Sequence, residues 1–174
     1  MSGDGSTRKR TGRSRIAARR AASPLQVDLV RRGSGWVPPV TDIRKWASAA
    51  LGRGAANGEL AVRVVARPES RRLNAQYRGK DKPTNVLSFP VPGGDTPPGM
   101  PRPLGDLVIC AAVVRVEALE QGKALKAHWA HLVVHGALHL VGYDHMQPDD
   151  AQRMERREIS VLRRFGIANP YRSL

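Results

Sequence analysis

The chain has 174 residues, of which 41% are hydrophobic and one is a cysteine, and its formal net charge is +14. That length suits one domain with a proper core and is too short for two comfortable ones. A single thiol excludes an internal disulfide, no apolar run approaches the ~18 residues of a membrane span, and the cationic excess favours a polyanion as partner.

Residues 1–23 carry seven Lys or Arg against Asp4, leaving +6 there and +8 on the rest. With no apolar periodicity beyond Ile16, they are predicted to form a disordered basic tail that grips RNA loosely. Being Arg- and Ser-rich and poor in acids, the tail also resembles an organelle transit peptide, a minor alternative to a bacterial cytoplasmic setting. Residues 24–174 are predicted to form the single domain.

Alternation predicts a first strand at Leu25–Leu29, and Thr41 is the expected N-cap of a helix whose apolar stripe is Ile43, Trp46, Ala47, Ala50 and Leu51. Leu60–Val65 reads as a strand, and Pro68 opens a short helix where its missing N–H is harmless. Strands follow at Asn85–Val91 and Leu107–Cys110, with a Pro- and Gly-rich loop over 92–103 between them. Helices are then predicted from Ala112 to about Gly122, Ala124 to about Val141, and Pro148 to about Phe165. The order β-α-β-α-β-β-α-α-α predicts an α/β (α+β) domain, a small mixed four-stranded sheet packed with about five helices. Cys110, in an apolar setting, reads as a buried hydrophobe.

The chemistry concentrates in His135-Gly-Ala-Leu-His139-Leu-Val-Gly-Tyr-Asp-His145. Residues four apart share a helix face, so His135 and His139 can grip one ion together. Gly142 ends the helix in the left-handed region and lets the chain swing back to present His145. Three imidazoles with one vacant position are the pattern of a catalytic zinc site, one Zn²⁺ per chain. The spacing equals that of the metzincin zinc helix, but Gly136 stands where those peptidases carry their glutamate base. A metallopeptidase is therefore disfavoured and another metal hydrolase favoured. His131, one turn earlier, reads as a packed or orienting histidine, since a fourth ligand would close the site. His128 is expected to be exposed, and Trp129, Leu132, Val133 and Leu138 to build core.

A second constellation lies at Tyr77-Arg-Gly-Lys-Asp-Lys-Pro-Thr-Asn-Val-Leu-Ser-Phe-Pro. Arg78, Lys80 and Lys82 fall within five residues, on a predicted loop before a strand. Arg offers a planar fork to phosphate oxygens and Lys a point charge.

This run, the Leu104-Gly-Asp-Leu-Val-Ile segment, Ala127-His-Trp-Ala-His-Leu-Val-Val-His and the triple-histidine motif together resemble the YbeY endoribonucleases, over roughly residues 25–172. The resemblance implies a single α/β domain with a three-histidine zinc site. It implies cleavage of single-stranded RNA in bacterial ribosomal RNA maturation, including the 3′ end of small-subunit RNA, and ribosome quality control. The partners it implies are ribosomal RNA, the small ribosomal subunit and proteins on it, with no membrane. His135, His139 and His145 match the family's metal ligands, and Arg78 its functionally important arginine. Arg78 becomes the expected clamp on the charge of the transition state, with Lys80 and Lys82 steering RNA. Asp106 and Asp144 are expected either to orient a ligand histidine or to act as base. A rival reading is a ribosome-binding assembly factor whose RNA cleavage is incidental.

Overall fold

The computed structural model describes residues 23–94, 96–144 and 147–172. The predicted tail, apart from Ser23, lies outside them, and so does His145. Four strands, β1 (Gln26–Arg31), β2 (Gly58–Val64), β3 (Val86–Pro90) and β4 (Arg102–Ile109), form one sheet in the order β1-β2-β4-β3. The β1–β2 and β2–β4 pairs are parallel, and β3 runs antiparallel to β4 at one edge. Among the described residues, five α-helices accompany the sheet: α1 (Val40–Leu51), α2 (Arg67–Arg78), α3 (Ala111–Glu120), α4 (Leu125–Leu140) and α5 (Pro148–Arg163). The mixed four-stranded sheet with five helices is the architecture the sequence predicts.

The period-two alternation of the strands divides the apolar residues between two faces. Leu60, Val62, Val64, Leu107 and Ile109 face the main core, where α1, α4 and α5 pack with Trp46, Trp129 and Leu138. Val108 and Cys110 face the other way and meet Leu73 of α2 in a smaller cluster with Val65 and Leu87. Cys110 is fully buried, as its setting predicts. Among the described residues, no helix is long and apolar enough to cross a membrane.

Two local expectations are corrected. Thr41 is not the N-cap: α1 begins at Val40, and the carbonyl of Pro39 accepts hydrogen bonds from the N–H groups of Asp42 and Ile43. The Pro-rich loop ends earlier than composition suggests, because β4 starts at Arg102 and carries Pro103 within it. The start of β4 pairs only with β2, and there the register slips between Glu59 and Leu60, as a strand with a missing N–H tolerates.

Helix α4 is the central element, packed against α1, α3, α5, β3 and β4. It can lie close to the sheet because Gly136 has no side chain: a Cβ there would sit 2.8 Å from Leu107 Cδ2 and 3.1 Å from Ser88 Oγ. The helix stops where its glycine predicts. Gly142 takes φ +88°, its N–H reaches the His139 carbonyl, and the Tyr143 N–H reaches back to the Leu138 carbonyl in a Schellman-type turn.

Candidate functional site

The histidines of α4 recur at intervals of three, four and four residues, which keeps them on one side of the helix. His128, His131, His135 and His139 accordingly stand in a row, with successive ring centroids 6.3, 6.2 and 4.7 Å apart. At the C-terminal end of the row, the Nε2 atoms of His135 and His139 face one another at 3.2 Å. Two imidazole ligands of a tetrahedral zinc ion, with Zn–N near 2.0–2.1 Å, stand about 3.3 Å apart, so this pair fits such an ion.

What aims His135 is a residue outside every sequence motif. Glu158, on α5, is fully buried and accepts hydrogen bonds at Oε1 from His135 Nδ1 (2.9 Å) and at Oε2 from His131 Nε2 (2.8 Å) and the Tyr171 hydroxyl. Burial alone would raise its pKa. The hydrogen bonds from His131, His135 and Tyr171 outweigh burial and hold the carboxyl at about 2. An ionised carboxylate only accepts hydrogen bonds, so the His135 nitrogen facing it carries the proton and Nε2 keeps the lone pair for a metal. Ligating atoms of His131, His135 and Glu158 also lie within 4.8 Å of one another, which makes these three a possible metal-binding group in their own right. The 2.8 and 2.9 Å contacts within that group are hydrogen-bond lengths to an ionised carboxylate, which suits Glu158 better to orienting a ligand than to being one.

Sequence reasoning missed Glu158, although a signal was present. The buried residues of α5 are Met154, Glu158, Val161 and Leu162, so the glutamate occupies a place in the apolar stripe. A carboxylate in such a stripe must find donors inside the fold.

His128 is also corrected: it is buried, not exposed. Its Nε2 is 2.8 Å from Glu117 Oε2, and Asn85 Nδ2 donates to both Glu117 oxygens at 3.0 and 3.2 Å. Burial pushes the Glu117 pKa up, but the bonds from His128 and Asn85 and the charges of His128 and Lys123 win, leaving it below the ordinary carboxylate range. Trp129, Leu132, Val133 and Leu138 are core, as predicted.

The two sequence constellations meet at a cavity of about 450 Å³, whose lining includes Arg78, Asn85, Glu117, His131, His135 and Tyr171. Arg78 is the last residue of α2 rather than part of a loop, and Gly79 follows it in the left-handed conformation. The loop after it is pinned to α2 by two buried polar residues. Ser70 Oγ donates to the Thr84 carbonyl (2.8 Å) and Asn74 Nδ2 to the Lys82 carbonyl (2.7 Å). Lys80 and Lys82 are exposed on this loop and do not line the cavity. Asp106 lies within β4, between Ala61 and Phe89 of the neighbouring strands, and its side chain makes no hydrogen bond or ion pair among the described residues. Asp144 is exposed after α4 and borders a small recess with Asp150 and Arg153.

Such a row of histidines beside an arginine-lined cavity invites comparison with known proteins. The profile of the endoribonuclease YbeY family matches residues 39–166, a span that contains both constellations. The chain belongs to the endoribonuclease YbeY family. Two relatives carrying the name endoribonuclease YbeY are more than half identical to it. That of Alkalilimnicola ehrlichii is 54% identical over 156 residues, covering 87% of this chain and 92% of its own length. That of Methylococcus capsulatus is 52% identical over 151 residues, covering 86% and 97%. The solution structure of the Thermotoga maritima protein TM1509 shares the fold, with a TM-score of 0.51 at 22% identity over 84% of this chain and 99% of that one. Within this family the glycine after the first helix histidine has a physical consequence in the present chain. A Cβ at Gly136 would already press on the Leu107 and Ser88 side chains, so the longer glutamate of the metzincin pattern fits poorly against the sheet here.

Proposed function

We propose that this endoribonuclease is zinc-dependent, cuts single-stranded RNA and acts in bacterial ribosomal RNA processing, including the 3′ end of small-subunit RNA, and in ribosome quality control. The observation that carries this reading is the facing pair of His135 and His139 nitrogens, with His135 lining the same cavity as Arg78. Family membership supplies the reaction class, a nuclease acting on RNA.

His135 and His139, with His145 from the chain beyond Gly142, would hold one zinc ion. Bound there, zinc supplies a Lewis acid and lowers the pKa of water from 15.7 toward about 7. The protein's own groups do the rest. Arg78 presents a guanidinium to the phosphate oxygens, where negative charge builds as the phosphodiester reacts, and a preorganised cation stabilises that charge. Lys80 and Lys82 draw the strand along the loop outside the cavity, and the net charge of +14 raises the encounter rate with any RNA. Glu158 keeps His135 in the tautomer that can ligate. Asp106 and Asp144 stay as orienting or proton-accepting candidates, and small-subunit RNA and its proteins in the cytoplasm are the proposed partners.

The test is cleavage of an end-labelled single strand and its duplex by the purified full-length chain. Cleavage of the single strand, loss with chelator and restoration by zinc are expected. In cells lacking the endogenous enzyme, the wild-type chain should restore the mature 3′ end of small-subunit RNA and the His139→Ala chain should not. Undiminished cleavage by His139→Ala would remove the metal from the mechanism.

A further inference from the structure

The C-terminal segment beyond α5 is more firmly placed than its length suggests. Ile167 packs on the main core, Lys123 Nζ donates to the Pro170 carbonyl (2.7 Å), and the Tyr171 N–H donates to Asn169 Oδ1 (2.9 Å). Held this way, Tyr171 sets its ring edge-on to His131, with centroids 5.5 Å apart, and its hydroxyl donates to Glu158 Oε2. Tyr171 as a whole stays 43% exposed, so apolar burial is not what fixes it. The polar end is what the geometry uses.

Glu158 has two oxygens and three donors. His135 alone serves Oε1, whereas His131 and Tyr171 share Oε2. His131 and His135 both come from α4, and Tyr171 closes the carboxylate from the chain end. Without the phenol, Oε2 keeps one partner, and only the two histidines hold the carboxylate about its terminal torsion, which is a soft, broad well. Rotation would draw Oε1 out of line with His135 Nδ1.

We propose that Tyr171 is a positioning residue of the metal site, acting through Glu158 on His135, so that the last residues of the domain tune a ligand two helices away. Burial and the neighbouring Glu158 push the Tyr171 pKa up, so the phenol remains a donor throughout the physiological range. The same residue lines the cavity shared by Arg78 and His135 and an adjoining groove of about 720 Å³ between the α3–α4 turn and the C-terminal segment.

This inference rests on the zinc reading above, and the two can be told apart. Zinc affinity is measured by chelator competition on the full-length chain, with the visible spectrum of the cobalt-substituted protein as a reporter of ligand geometry. Glu158→Gln is expected to weaken zinc roughly 10- to 100-fold, as loss of a carboxylate behind a ligand histidine does. Tyr171→Phe keeps the ring and should weaken zinc roughly three- to tenfold, with a shifted cobalt spectrum. In the Glu158→Gln background the same change should have almost no further effect, since residues acting through one another are not additive. If wild type binds neither metal, the zinc reading fails. If wild type binds both and Tyr171→Phe matches it in affinity and spectrum, this inference alone fails. Equal fold-losses in both backgrounds would also overturn it, because Tyr171 would then act by another route. Should Glu158→Gln not fold, the affinity and cobalt spectrum of Tyr171→Phe decide.

Discussion

Gly136 rests against Leu107 so closely that a β-carbon on the glycine would lie 2.8 Å from the leucine Cδ2. One residue earlier on the same helix stands His135, so the depth at which α4 meets the sheet also sets the position of the proposed metal ligand. Gly136→Ala should gain helix propensity yet lose more to overpacking, for a net cost of about 1–2 kcal/mol. Gly136→Glu, which restores the peptidase pattern, should unfold the domain rather than create a peptidase, since it buries an unpaired carboxylate against Leu107. Urea melts check both, and a Gly136→Ala chain more stable than wild type would contradict the packing argument.

The purified chain should carry one zinc. Elemental analysis of His139→Ala should show that metal lost while circular dichroism stays native, because His139 lies at the partly exposed end of α4 rather than in the core. Full metal retention would remove His139 from the site.

Arg78 ends α2, where a cation favours the helix by about 0.3–1 kcal/mol. Arg78→Gln should therefore cost no more than about 1 kcal/mol in stability while lowering RNA cleavage on the order of 10²-fold. A melting loss of many degrees would make the arginine structural.

Glu117 ties α3 to α4 through His128 and to the residue before β3 through Asn85, and its pKa is depressed. A depressed carboxyl contributes stability that is present above its unfolded pKa and lost as pH falls through the folded one. At neutral pH, Glu117→Gln should cost about 1–3 kcal/mol, the worth of hydrogen bonds to a charged group. The gap to wild type should narrow steadily below the ordinary carboxylate range, near pH 4, and a gap independent of pH would disprove the linkage.

The basic N-terminal residues are proposed to add non-specific grip on RNA. Ser23 exchanges hydrogen bonds with Asn57, so the cut belongs after residue 22. Removing residues 1–22 should leave zinc content unchanged and lower the log–log salt slope of RNA binding by roughly two to four, at about 0.7 for each phosphate engaged. Equal slopes would show that the tail does not touch RNA, and targeting would become its first explanation.

Read alone, the chain of residues determines whatever depends on spacing along one element. The i, i+4 pair His135 and His139 shares a helix face because 3.6 residues make a turn, and Gly142 ends that helix because its φ of +88° suits glycine. The first strand follows from period-two alternation in the same way. Tertiary structure decided what spacing cannot encode. Glu158 stands 23 residues from His135, and only the packing of α5 on α4 joins them. Arg78 reaches the histidine cavity because α2 ends there, and His128 is buried because Glu117, on another helix, supplies its partner. Each of these depends on where separate elements come to rest, and packing of whole faces sets that rather than any local period.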